Sequence, residues 1–142
     1  MISIEPGGAH DHPDIPSADI FSDLVRNVKE SGVSEHVTLL NGFSYDSKVV
    51  ESVNQATGRK KIDLLIVDAD GDVGRDFVTY HHLLKVGAII VLDDYASRWA
   101  PEKAQPVKEW VDRTVSSGTL SPLGVWGWGT WIGIYTGYLS ET

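Results

Sequence analysis

The chain has 142 residues, 42% of them hydrophobic and 23% charged, which fits one globular domain with one core. Its formal net charge of −8 argues against non-specific binding to nucleic acid or to an anionic membrane, and the absence of cysteine excludes disulfides and thiol chemistry. No apolar run approaches the ~18 residues of a membrane span, and MISIEPGG lacks the basic and apolar regions of a secretory signal, so the expected setting is the cytoplasm.

Taken in order, ISIE (Ile2–Glu5) reads as a short strand that ends in the turn Pro6-Gly7-Gly8. The polar stretch from Ala9 to Pro16 reads as a loop. Its His10, Asp11, His12 and Asp14 include donors that suit a transition metal, although such loops are more often simply solvated. Ser17 is placed to cap a helix. Ile20, Phe21, Leu24, Val25 and Val28 then recur with a 3.6-residue period, and Gly32 ends the helix in a left-handed cap. VTLLN (Val37–Asn41) is the next strand. Val49, Val50 and Val53 line a second helix that stops by Gly58.

Ile62–Val67 is a nearly continuous apolar strand of the kind buried on both faces in a parallel sheet. A short helix follows, with Phe77, Tyr80, His81 and Leu84 turned inward. His81 and His82 are adjacent and so face different ways. Ala88–Leu92 is a second apolar strand and runs into Asp93-Asp94. Pro106 suits the first turn of a helix carrying Val107, Trp110, Val111 and Val115 on one face. The tail reads as two strands joined through Gly127–Gly129. Its Trp126, Trp128, Trp131, Tyr135 and Tyr138 fit a core or an interface, with a pocket wall as the alternative for Trp128.

This βαβαβαβαββ order predicts an α/β fold in one domain, residues 1–142. The sheet is Rossmann-like and mostly parallel, with helices on both faces and an antiparallel pair of strands at the C-terminus. Ligands in such sheets bind beyond the carboxyl ends of the strands. Glu5, Asp68, Asp70, Asp93 and Asp94 all fall at strand ends and should share that edge. Clustered carboxylates repel and need a proton or a cation, and a hard divalent ion such as Mg²⁺ or Ca²⁺ suits oxygen donors. Asp68, Asp93 and Asp94 are the expected metal ligands. Asp70 is either a fourth ligand or a partner for a substrate hydroxyl. The plainer alternative is that each acid caps a helix or faces water. A helix-loop-helix calcium site fails on spacing, because Val73 and Thr79 stand where Gly and Glu belong. A haloacid-dehalogenase phosphatase motif also fits poorly, since Asp72 replaces its threonine.

Three stretches together carry a resemblance: SIEPGG, RNVKESGVSEHVTLLNGFS, and IDLLIVDADGDVGRDFVTYHHLLKVGAIIVLDDY. They resemble class I S-adenosylmethionine-dependent methyltransferases, nearest the small-molecule O-methyltransferases that use a divalent metal, such as the catechol and caffeoyl-CoA types. The likeness spans nearly the whole chain, from the second strand of that fold to its seventh, so the fold is expected to be truncated at its N-terminus. It implies S-adenosylmethionine and Mg²⁺ or another divalent cation as cofactors, and a small hydroxylated molecule as the methyl acceptor. It also implies roles for particular residues. Glu5 would hold the cofactor ribose, Phe43 and Ser44 after Gly42 would meet the adenine, and Asp68 would lie beside the cofactor. Asp68, Asp93 and Asp94 would hold the metal. The family's basic residue, three positions after the first ligand, falls at Gly71, leaving Asp72 and His82 as substitutes beside Asp68 in the catalytic group. The family's first strand and glycine-rich loop fall upstream of Ile2. Three outcomes are expected for a sheet without that strand: it closes over the gap, it takes a strand from a homodimeric or strand-exchanged partner, or the chain is part of a longer gene product. The alternative function is a catalytically silent module for ligand binding or oligomerisation.

Overall fold

The computed structural model describes residues 1–11 and 13–139. The chain divides into two compact units, Met1–Gly58 and Arg59–Thr142.

In the first unit, β1 (Ile2–Glu5) pairs in parallel with β2 (Thr38–Asn41), Ile2 opposite Thr38 and Glu5 opposite Asn41. The crossover carries α1 (Ile20–Glu30), and α2 (Ser47–Thr57) follows β2. Asp19, not Ser17, caps α1. Its carboxylate accepts from the Ser22 amide, and the Ser17 hydroxyl instead donates to Asp23 at 2.5 Å. Either residue type can cap, and the choice falls to the one whose oxygen reaches an orphan amide of the first turn. The His10–Ser17 main-chain pair closes the loop between β1 and α1. His12, one of the candidate metal donors there, lies outside the described residues. Gly32 has φ +69° and ends α1 as expected. Val49 and Val53 are the buried apolar side chains of α2.

The second unit is a four-stranded mixed sheet in the order β3-β4-β6-β5. β3 (Ile62–Val67) and β4 (Leu84–Leu92) run parallel. β6 (Thr130–Tyr135) is antiparallel both to β4 and to β5 (Leu120–Trp126). Between them come α3 (Val73–Tyr80) and α4 (Pro101–Ser116). Alternate residues of β4, namely Ala88, Ile90 and Leu92, are buried, and Leu92 pairs with Trp131 of β6. They form the core with Val67, Phe77, Val107, Val111, Leu120 and Tyr135. That is the two-residue alternation of a sheet whose one face packs on helices.

Three expectations need correction. β3 is not buried on both faces: Leu64 and Ile66 are 51% and 61% exposed, while Leu65 and Val67 pack into the core. The apolar run reports one helix-covered face and one open face. β4 starts at Leu84, four residues early, because Leu84 is a buried strand residue and not part of the preceding helix. Pro106 lies inside α4, and Pro101 takes the first turn, where a missing amide costs least. Among the described residues no helix is long and apolar enough to cross a membrane.

Candidate metal centre

β3 ends at Val67 and β4 at Leu92, and these two residues are register partners. The next residue of each strand is therefore an acid at the same carboxyl edge. The Asp93 amide donates to the Val67 carbonyl at 3.0 Å, which fixes the spacing of the two strand ends. Asp94 turns the chain away in the left-handed region at φ +60°, the only described non-glycine residue with positive φ. Aspartate tolerates that region better than most residues, and such local strain gathers at functional sites. One carboxylate oxygen each from Asp68, Asp93 and Asp94 lie within 4.8 Å of one another.

This donor set fits a hard divalent ion. Oxygens on opposite sides of Mg²⁺ stand about 4.2 Å apart, and on opposite sides of Ca²⁺ about 4.8 Å. The charges also fit. Partial desolvation and then the neighbouring charges of Asp93 and Asp94 hold the Asp68 carboxyl above its ordinary value, while Lys103 pulls it the other way. A cation would relieve that repulsion.

The surrounding loops hold the trio in place. Thr130, the first residue of β6, donates its hydroxyl to Asp93 at 2.6 Å. The Ala96 amide donates to the Gly129 carbonyl, joining the segment after β4 to the β5–β6 turn. Gly129 has φ +124°, and a Cβ there would stand 2.5 Å from the Ala96 carbonyl carbon, so no other residue fits. The same two loops present Trp99 and Trp128, 78% and 79% exposed with ring centroids 6.3 Å apart. They line a cleft of about 460 Å³ with Arg98 and Val125.

The other candidates from the sequence have contacts of their own. Asp70 is gripped by Arg75 through two contacts of 3.1 Å, and those hydrogen bonds hold its carboxyl below the ordinary range. Asp72 caps α3 by accepting from the Arg75 amide. His82 does not belong to the edge at all. It precedes the amino end of β4, and the nine residues of that strand separate it from Asp93 by roughly 30 Å. In the first unit, the Glu5 carboxylate accepts from the Gly7 amide at 2.9 Å, and Phe43 stacks on Tyr45 at 5.3 Å beside Ser44. Sequence reading missed Lys103, Thr130, Arg75 and Trp99. Only Arg75 had a local signal, as a cation within five residues of Asp70, Asp72 and Asp76. The others reach the site through contacts 29 to 37 positions away in the chain, Trp99 with Trp128, Lys103 with Ala69 and Thr130 with Asp93.

A model of a methyltransferase domain matches residues 3–95. The chain belongs to the methyltransferase domain family. No curated protein matches it. Among solved structures, this methyltransferase domain is similar to the O-methyltransferase TomG of Streptomyces achromogenes, involved in tomaymycin synthesis and solved with S-adenosylmethionine. The identity is 17% and the TM-score 0.66, with 95% of this chain and 61% of that one covered. A Staphylococcus aureus protein assigned as a caffeoyl-CoA O-methyltransferase aligns at 16% identity and TM-score 0.68, covering 94% and 63%. The MycE methyltransferase of mycinamycin biosynthesis, solved with Mg, S-adenosylhomocysteine and mycinamycin VI, aligns at 12% identity and TM-score 0.53, covering 99% and 47%. The chain thus spans less than two thirds of the length of each. At these identities the shared property is the class I methyltransferase fold.

Proposed function

We propose that this methyltransferase domain serves S-adenosylmethionine-dependent O-methylation of a small hydroxylated molecule, with a divalent cation held by Asp68, Asp93 and Asp94. The carrying observation is the convergence of three carboxylates within 4.8 Å at the carboxyl edge of a methyltransferase-family sheet. The presence of Mg in the MycE complex supports the same reading. When bound, the ion would supply a positive charge that orients the acceptor hydroxyl and lowers its pKa. The chain's own residues do the positioning. Asp93 is oriented by Thr130, Asp94 is set by its strained backbone, and Asp68 stands at the end of β3. Trp99 and Trp128 offer an apolar wall on the loops that hold the trio, suited to the body of an acceptor and to excluding water. For the cofactor, the proposed contacts are Glu5 with the ribose hydroxyls and Phe43 and Ser44 with the adenine. Glu5 is an acceptor at a strand end, and Phe43 is an aromatic face half open to solvent.

One observation favours a second reading, a ligand-binding module without catalysis. The position at which the resemblance places a base is Gly71, where φ is +93°, a conformation strained for any side chain, and where a Cβ would stand 3.3 Å from the Lys103 Cα. Calorimetric titration with S-adenosylmethionine, with and without Mg²⁺, separates the two. The enzyme reading expects micromolar binding of the cofactor. No heat up to millimolar cofactor would leave only the module.

A further inference from the structure

We infer that Lys103 is the resident counter-charge of the acidic trio, an ammonium delivered by α4 that a divalent cation must displace from Asp94. This rests on the cation reading given above and adds a competitor to it. Lys103 comes from the first turn of α4, and its Nζ donates to the Ala69 carbonyl at 2.8 Å and stands 3.8 Å from Asp94 Oδ2. It is the ammonium among the described residues that bridges the ends of both acid-bearing strands. The reason it comes from α4 lies at Gly71. A Cβ at that position would be 3.3 Å from the Lys103 Cα, and φ there is +93°, so the first turn of α4 packs closely on a backbone conformation that disfavours a side chain. Lys103 therefore supplies from a distant segment the positive charge that position 71 does not carry.

The electrostatics follow directly. Three ionised carboxylates with the ammonium in place carry a net charge of −2; with a divalent ion in its stead they carry −1, so the exchange neutralises one further unit of charge. A monovalent ion gains little by the exchange, since it replaces one unit charge with another. The competition sets a threshold: the site favours ions whose charge exceeds that of the lysine it already holds. Lys103 is a positioning residue in this account, acting through Asp94 and Ala69.

Calorimetric titration of Mg²⁺ at low ionic strength into the wild-type chain, Lys103→Met and Lys103→Arg provides the test. Removing the charge is expected to tighten Mg²⁺ binding roughly tenfold, the scale of withdrawing one like charge from beside a divalent ion at a partly exposed site. The arginine variant keeps the charge and should stay within about twofold of wild type. A lysine that served only to tie down the Ala69 loop would give the opposite sign, with weaker binding in Lys103→Met. Unchanged or weaker binding in Lys103→Met, with wild-type binding intact, overturns the counter-charge role and leaves the cation site standing. Binding seen only in Lys103→Met supports the role in its strongest form. No binding in any of the three chains overturns both.

Discussion

Asp68 contributes to stability in the reverse of the usual carboxylate manner. Its pKa in the folded chain is raised above the ordinary 3.8, first by desolvation and then by Asp93 and Asp94. The folded state therefore binds the proton more tightly than the unfolded state does. Stability falls as pH climbs from 3.8 through the raised value, and the ionised trio is least comfortable at neutral pH without a cation. Asp70 behaves oppositely, since Arg75 favours its charged form and that contribution is lost on acidification. For Asp68→Asn in the presence of a chelator at pH 7, thermal unfolding should occur at or slightly above the wild-type temperature. Mg²⁺ at 100 times its dissociation constant should raise the wild-type midpoint by roughly 5–10 °C, and the variant's by far less. An equal rise in both proteins would remove Asp68 from the ligand set.

At the scale of elements, the carboxyl edge depends on a connection between two loops that share no sequence pattern. Gly129 packs against Ala96 and Ser97, and Thr130 beside it orients Asp93. Gly129→Ala introduces a Cβ into backbone atoms 2.5 Å away at a φ of +124°. It should cost about 1–3 kcal/mol in denaturant unfolding and weaken Mg²⁺ binding at the same time. A wild-type midpoint and affinity would show that the turn is not coupled to the acids. The strands that build this edge were legible because β3 and β4 are apolar runs ending abruptly in acids. Helix starts were harder to read. Ser17 and Asp19 are both good capping residues, and Pro101 and Pro106 both suit a first turn. Only the three-dimensional reach of an oxygen or the packing of α4 decides between them.

At the scale of the whole molecule, each unit carries its own set of proposed contacts. Met1–Gly58 carries Glu5, Phe43 and Ser44, and Arg59–Thr142 carries the acidic trio. The trio could be read from sequence because parallel strands place their carboxyl ends on one edge, and Val67 and Leu92 are in register. His82 was misplaced because proximity to an acidic motif in sequence does not tell which end of the sheet a residue reaches. Lys103 was invisible because its contact with Ala69 spans 34 positions and exists only once α4 docks on the strand ends. The central claim is that Asp68, Asp93 and Asp94 bind one divalent cation. Substoichiometric Mn²⁺ added to the ¹⁵N-labelled chain tests it most directly. The account predicts that amide signals of Asp68, Asp93, Asp94 and Thr130 broaden first, and that excess Mg²⁺ restores them. Broadening centred on other acids, or spread evenly over the acidic surface, would contradict it.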